Sequence, residues 1–263
     1  CQAMIGRAFE GRLPAGVRVT TKFGLGTVPA EAVYDQLRQS LLESLREMRL
    51  ERVDMFLLHS EIRPTDFDYP PGQPPRDARS TSLALYRSSV VPAFERLVAE
   101  GLAAHWGITG INHAAATIEA IGQGPRPAAV QAIANLLDSP GEMNGTGLVS
   151  CPRDVIAAAR SNGVGVMGVR AVQAGALTAA LDRAEQSPTT ADFDRAAPYR
   201  ALCASWGEDP AMVAYRYALA IEGVDTVVLG VKNRAELDQA LAAERAGPLE
   251  PAQMAAIDAL GLR

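Results

Sequence analysis

Cysteine is scarce in this chain of 263 residues, which contains only Cys1, Cys151 and Cys203. Their odd number and wide separation give neither a metal-site spacing nor a disulfide framework, so a reducing cytoplasm is the expected location. Long apolar runs are also lacking. No stretch approaches the roughly 18–20 residues needed to span a bilayer, and no signal-peptide pattern opens the chain. We therefore expect a cytoplasmic protein with no membrane partner and no metal.

An excess of positive charge is absent too. The formal net charge is −5 and the pI is near 5.3, which argues against nucleic acid or an anionic membrane as the main partner. Apolar residues make up 48% of the chain and charged residues 21%, as in ordinary globular proteins. The length is enough to bury a full core.

The chain begins with Cys1 instead of Met, and an apolar pattern at helical spacing already runs to Phe9. Nothing precedes this pattern that could cap a helix. The start therefore predicts a chain that begins part-way through a protein. An N-terminally processed mature form is the alternative.

Apolar runs typical of strands alternate with segments at helical spacing. Strands are predicted at 17–21, 55–58, 105–108, 129–133, 165–169 and 226–229. Helices are predicted over 90–100, 112–121, 210–221, 234–243 and 251–260, and another begins at Pro152. A further helix is predicted after Pro29, with an apolar face formed by Val33, Leu37, Leu41, Leu45 and Met48. Segments 61–81 and 139–149 are predicted to be loops. The first could contact the substrate, or it could be a surface insertion without a function.

These alternating segments predict an α/β fold with a parallel sheet covered on both sides. Six βα units could form an open doubly wound sheet or most of an eight-stranded barrel. Gly24 and Gly26 follow a strand but lack the third glycine of the dinucleotide-binding fingerprint. We therefore predict a single domain over 1–263, a (β/α)8 TIM barrel with about six of its eight units in this chain.

Two ionisable residues close neighbouring predicted strands: Lys22 after 17–21 and His59 after 55–58. The carboxyl ends of barrel strands form the floor of the active site, which makes both residues catalytic candidates. Lys22 could form a Schiff base, donate to a phosphate or lower the pKa of a neighbouring acid. His59 could donate a hydrogen bond to a carbonyl. The structural alternatives are a lysine exposed to solvent and a buried histidine whose ring nitrogens are hydrogen-bonded within the core.

Five further residues are candidates for ligand binding. Gln131 lies inside an apolar strand and needs a buried partner, either a ligand carboxamide or a main-chain group. Arg170 follows a strand, with Gly175 five residues on, and could meet a pyrophosphate or pair with a structural carboxylate. Gly230 and Lys232 follow the last strand at a helix N-terminus, where anions bind well. The alternative is a basic turn that is simply exposed to solvent.

Along essentially its whole length the chain resembles the aldo-keto reductase family. The matching stretches are Ile5-Gly-Arg-Ala8, Val19-Thr-Thr-Lys22, Val53-Asp-Met-Phe-Leu-Leu-His59, Gly107-Ile-Thr-Gly-Ile-Asn112, Val130-Gln131, Gly175-Ala-Leu-Thr178 and Val228-Leu-Gly-Val-Lys-Asn233. Their order and spacing together are specific. The resemblance implies a (β/α)8 barrel that reduces aldehydes or ketones with NADPH or NADH.

The resemblance also implies an Asp/Tyr/Lys/His tetrad in which the tyrosine is the general acid and the lysine lowers its pKa. Lys22 and His59 match the lysine and histidine. The other two members are expected before Cys1, so the chain as given should be catalytically inactive or nearly so.

For the cofactor, the resemblance assigns the nicotinamide carboxamide to Thr109 and Gln131, with Gly110 where the family has Asn. The family's stacking aromatic maps near Arg170, where none is present. Lys232 is retained at the adenosine-phosphate end. Glu236 replaces the usual Gln or Arg there, and it would repel a 2′-phosphate but could accept a bond from a free ribose hydroxyl. The resemblance thus implies NADP or NAD, with NADP slightly preferred.

Two alternatives stay open. One is a Schiff-base aldolase that uses Lys22 as its nucleophile. The other is a barrel without catalysis that serves as a binding or regulatory subunit. Neither the substrate nor the oligomeric state follows from the sequence.

Overall fold

The chain folds into two compact units, Cys1–Val130 and Gln131–Arg263. The structure is a computed structural model that describes residues 1–67, 79–144, 147–182 and 186–263. Part of the first predicted loop, at 68–78, and part of the second, at 145–146, lie outside the described residues.

The first unit alternates strands and helices. Its elements are α1 (Gln2–Phe9), β1 (Thr20–Phe23), α2 (Val33–Met48), β2 (Val53–Arg63), β3 (Ser80–Ser82), α3 (Leu83–Leu85), a π-helical turn (Tyr86–Val90), α4 (Val91–Ala99), β4 (Ala103–Thr109), α5 (Ala114–Gly122) and the start of β5 (Ala129–Ile133). Strand β2 is central because it pairs in parallel with β1, β3 and β4.

Helix α2 shows why these segments pack as they do. The five apolar positions predicted for its inner face, from Val33 to Met48, are all at most 4% exposed. Residues three and four apart share one face of a helix, so the period of the sequence decides which side is buried. The predicted face is confirmed.

The second unit carries the remaining elements. They are α6 (Pro152–Ser161), β6 (Gly165–Val169), α7 (Pro188–Arg195), α8 (Ala197–Trp206), α9 (Pro210–Ala220), β7 (Thr226–Val227), α10 (Arg234–Ala246) and α11 (Pro251–Asp258). Strands β6 and β7 pair in parallel. Asp209 caps α9, since its Oδ1 accepts hydrogen bonds from the amides of Ala211 and Met212.

Several predicted boundaries were wrong. Strand β1 lies over Thr20–Phe23 instead of 17–21, so Lys22 is inside the strand. Strand β2 continues four residues past His59 to Arg63, and β7 is only two residues long. The predicted loop 61–81 is strand at both of its ends, because Glu61–Arg63 pairs with β3. Helices α7 and α8 were not predicted at all.

No helix among the described residues combines the length and the apolar character needed to cross a bilayer.

Gly107 occupies a crowded position in the first unit, where strands β2, β4 and β5 come together. A Cβ there would lie 2.5 Å from the backbone oxygen of Ala129 and 2.5 Å from Cδ2 of Leu57. We therefore expect Gly107→Ala to lower the free energy of unfolding by about 1–3 kcal/mol, as overpacking does. Urea denaturation followed by circular dichroism measures this.

Gly122→Ala is the matched control. Gly122 ends α5, and a Cβ added to it would have no neighbouring atom within 4 Å. Alanine favours a helix over glycine, so this variant should be neutral or slightly more stable than the wild type. Equal unfolding curves for the two variants would contradict the crowding at Gly107.

Candidate active site

Lys22 and His59 come together in the first unit on the neighbouring strands β1 and β2. In the ladder Lys22 lies opposite Leu57, and Phe23 lies opposite Leu58, so His59 follows just past the last paired residue. The pKa of His59 is lowered by burial and, second, by the positive charge of Lys22. The two side chains are therefore close enough for one charge to act on the other.

A break in the register between β2 and β4 falls at His59. The pairing between the two strands shifts between Leu58 and Glu61. Within this break His59 keeps part of its surface open to solvent while the remainder is desolvated, whereas Ser60 is fully buried. Bulges and register shifts of this kind are often found beside active sites.

The loop after Lys22 is fixed against the same part of β2. The backbone amide of Gly26 donates to Oγ of Ser60 at 2.7 Å. The hydroxyl of Thr81 donates to the carbonyl of Gly26 at 2.7 Å, and that of Thr27 donates to the carbonyl of Ser80 at 2.8 Å. These bonds join the ends of β1, β2 and β3 around Lys22 and His59.

Burial lowers the pKa of Lys22. No carboxylate among the described residues forms an ion pair with its ammonium group. Within the described part of the chain its positive charge is therefore not compensated, and it favours the neutral imidazole of His59 and would favour the ionised form of an acid placed beside it.

Thr109 ends β4 and lies opposite Glu61 of β2. The residue is 3% exposed, and its buried hydroxyl has no hydrogen-bond partner in the described part of the chain. A buried hydroxyl without a partner is costly, so its presence at a strand end suits a polar ligand group. Nearby, Asn112 donates to the carboxylate of Glu61 at 2.8 Å.

The second unit holds the other predicted ligand residues. Gln131 lies in β5, is 6% exposed, and makes no side-chain hydrogen bond to any described residue. Gly175, Gly230 and Lys232 line one cavity of about 700 Å³. Arg170 and Gly230 line a smaller one of about 220 Å³. Four of these five residues therefore line two cavities of the second unit.

Arg170 contacts a carboxylate and an amide of the protein at the edge of the smaller cavity. Its Nε donates to Oε1 of Gln173 at 2.7 Å, and its Nη2 lies 3.3 Å from Oε2 of Glu142. Burial would raise the pKa of Glu142, but hydrogen bonds from Thr189 and other donors, with the charge of Arg170, hold it at about 2. Arg170 is therefore a fixed cation at the end of β6.

A buried carboxylate that the sequence did not single out holds the loops after β5 and β6. Oδ2 of Asp192 accepts hydrogen bonds from Ser139 at 2.5 Å and from Gln173 at 2.7 Å, and its Oδ1 accepts one from Arg195 at 2.8 Å. Asn135 adds a bond to Gln173 at 3.3 Å. The polar residues Asn135 and Ser139, in the loop that follows β5, are the feature of the sequence that could have indicated this network.

Lys232 also has partners that the sequence did not suggest. Its Nζ lies 2.6 Å from Oδ2 of Asp182 and 3.7 Å from Oε1 of Glu236. The hydrogen bond with Asp182 is the main cause that raises the pKa of Lys232.

Replacing Lys22 tests whether its charge acts on His59. In Lys22→Met the pKa of His59 should rise, because the positive charge that disfavours the imidazolium is gone while the burial persists. An NMR titration of the imidazole measures this. Arg18→Met is the control, since Arg18 pairs with Asp54. The coupling is refuted by a pKa of His59 that is the same in all three proteins.

Replacing Asp192 tests the buried network. Asp192→Asn turns one acceptor oxygen into an amide that faces donors, so we expect the free energy of unfolding to fall by about 1–3 kcal/mol. Asp194→Asn, at an exposed position of the same helix, should change it by no more than about 0.5 kcal/mol. Thermal and urea unfolding give both values, and equal losses would rule out a special role for Asp192.

Comparison with known proteins identifies the fold and the family. The structure is similar to that of the aldo-keto reductase AKR11C1 from Bacillus halodurans in its apo form, with a TM-score of 0.67 and 20% identity over 98% of this chain and 76% of that chain. For the holo form the TM-score is 0.70, with 18% identity over 98% and 77%.

This likeness confirms the predicted (β/α)8-barrel fold class. No curated protein matches the sequence. The model of the aldo/keto reductase family, however, matches residues 1–261. The chain therefore belongs to the aldo/keto reductase family.

Proposed function

We propose that this protein is an NAD(P)H-dependent oxidoreductase that interconverts a small carbonyl compound, an aldehyde, ketone or sugar, and the corresponding alcohol. The observation that carries the proposal is the pair of Lys22 and His59 on neighbouring strands, with the charge of the lysine acting on the imidazole. Membership of the family supplies the reaction class. We also propose that residues 1–263 form one barrel domain in the cytoplasm, with no nucleic-acid or membrane partner.

The two residues have distinct roles in this proposal. Lys22 supplies a positive charge, which no described carboxylate pairs, and this charge lowers the pKa of an acid beside it. His59 stays neutral at neutral pH, because burial and Lys22 both lower its pKa. A neutral imidazole keeps a proton on one ring nitrogen and can donate it as a hydrogen bond to a carbonyl oxygen.

Reduced nicotinamide, when bound, supplies the hydride. Thr109 and Gln131 are our candidates for contacts to its carboxamide, and their chemistry fits: the Thr109 hydroxyl is buried without a partner, and the Gln131 amide makes no bond to a described residue. Arg170, Gly175, Gly230 and Lys232 are our candidates for the remainder of the dinucleotide, since they line the cavities of the second unit.

A binding experiment tests the proposal. Titration with NADPH and with NADH, followed by nicotinamide fluorescence, should give saturable binding of at least one of them. Thr109→Val keeps the shape but removes the hydroxyl, so the affinity should fall by about tenfold, the worth of one good hydrogen bond. Thr226→Val, at an exposed position on β7, is the control and should bind as the wild type does.

The opposite result is equally clear. If neither dinucleotide binds, the reductase proposal fails, and a barrel with a binding or regulatory role becomes the better account.

A second function is favoured by one observation. Lys22 has a lowered pKa and no ion-pair partner among the described residues, which is what a Schiff-base lysine needs. Borohydride treatment with a carbonyl substrate would then attach the substrate covalently to Lys22, as mass spectrometry of the peptide would show. We expect no such adduct, and Lys22→Met serves as the blank.

A further inference from the structure

Among the described residues, the lining of the larger cavity in the second unit has an excess of negative charge. These lining residues include three carboxylates, Asp182, Asp209 and Glu236, and one cationic side chain, Lys232. Dinucleotide phosphates are anions, and NADP carries one phosphate more than NAD, with a charge of about −1.5 to −2 at neutral pH. The charge of this cavity therefore bears directly on which of the two dinucleotides it accepts.

The N-terminus of α10 would normally attract a phosphate, but a carboxylate of the protein already occupies it. Oε2 of Glu236 accepts a hydrogen bond from the backbone amide of Lys232 at 2.8 Å. The side chain of Asn233 accepts one from the amide of Glu236 at 2.9 Å and donates one to its Oε1 at 3.3 Å. Glu236 thus takes the amide of Lys232, Asn233 takes the amide of Glu236, and a carboxylate already lies at the helix end where a phosphate would bind.

Lys232 is compensated as well. Its ammonium lies 2.6 Å from Asp182 and 3.7 Å from Glu236. The pair with Asp182 is exposed and can open at little cost. The carboxylate of Glu236 is held more firmly near Lys232, because two hydrogen bonds fix it to the start of the helix. A phosphate that reached Lys232 would still meet this second carboxylate.

The cavity also offers groups that suit uncharged hydroxyls. Tyr215 lines it, is only 6% exposed, and its hydroxyl has no hydrogen-bond partner among the residues described. Asp209 and Gln239, joined by a hydrogen bond of 2.8 Å, line it too. A tyrosine hydroxyl that no described residue uses can bond to a hydroxyl of a ligand, and carboxylates are the usual acceptors for the hydroxyls of a free ribose.

We propose that this cavity selects NAD(H) over NADP(H), and that Glu236 is the main selectivity residue with Asp182 as the weaker second. This inference rests on the proposed function, since it takes the cavity to hold the dinucleotide. It reverses the slight preference for NADP that the family resemblance implied.

The dissociation constants of NADH and NADPH, measured by nicotinamide fluorescence, test this inference. We expect the wild type to bind NADH at least about tenfold more tightly, as a like-charge contact would impose. In Glu236→Gln the charge is lost but an oxygen remains for the amide of Lys232. NADPH should then bind about tenfold more tightly, whereas the affinity for NADH should change by less than about threefold. Asp182→Asn should shift the same ratio by less.

Glu244→Gln is the matched control, because Glu244 is an exposed residue of the same helix that does not line the cavity. A wild type that prefers NADPH would overturn the inference, and so would a ratio in Glu236→Gln that stays as it is in Glu244→Gln. Either result would leave the proposed function intact. Failure of both dinucleotides to bind would instead overturn the proposed function and this inference together.

Discussion

The break in the register of β2 between Leu58 and Glu61 is the constraint on which the candidate site of the first unit depends. Strand β2 pairs with β1 and then with β3 along one edge and with β4 along the other, and the pairing with β4 shifts register between Leu58 and Glu61. His59 and Ser60 lie within this shift. His59 keeps part of its surface open to solvent, and the buried hydroxyl of Ser60 accepts a hydrogen bond from the amide of Gly26. The same short segment thus carries the histidine and fixes the loop that follows Lys22.

In the second unit the important contacts are made by carboxylates. The degree of burial of each carboxylate decides whether it stabilises the fold or mainly presents charge to a ligand. Asp192 is buried and accepts three hydrogen bonds, so it contributes to the stability of the loops after β5 and β6. Asp182 and Lys232 are each about two-thirds exposed, and their pair adds little to stability. Its importance lies in the charge that it presents to a ligand.

The local pattern predicted much of the fold. Strands 129–133 and 165–169 were predicted residue for residue, because each is a short, mainly apolar run between more polar segments. Strand β3 was missed because three residues are too few to show a period. Helices α7 and α8 follow Ser187 and Pro188 in a polar segment, and only the capping box at Ser187 and Thr190 indicated a helix start.

The sequence supplied the candidate residues of the site but not the contacts that they make. Lys22 and His59 were recognised from their positions after apolar runs, and the structure places them on neighbouring strands. Thr109 and Gln131 came from the resemblance, and the structure shows both with unused polar groups in the part of the chain that it describes. The partners of Arg170 and Lys232 were not foreseen. No pattern in the local sequence marks a carboxylate as the partner of a distant cation.

By itself the sequence determined the family, the α/β barrel class and the positions of two ionisable residues near strand ends, because periodicity and the order of short segments are local properties. Only the tertiary structure decided the electrostatics. Asp182 meets Lys232 across 50 positions of the chain, and Asp192 meets Ser139 across 53. Charge compensation and desolvation depend on what lies nearby in space, and long-range packing alone sets those neighbours.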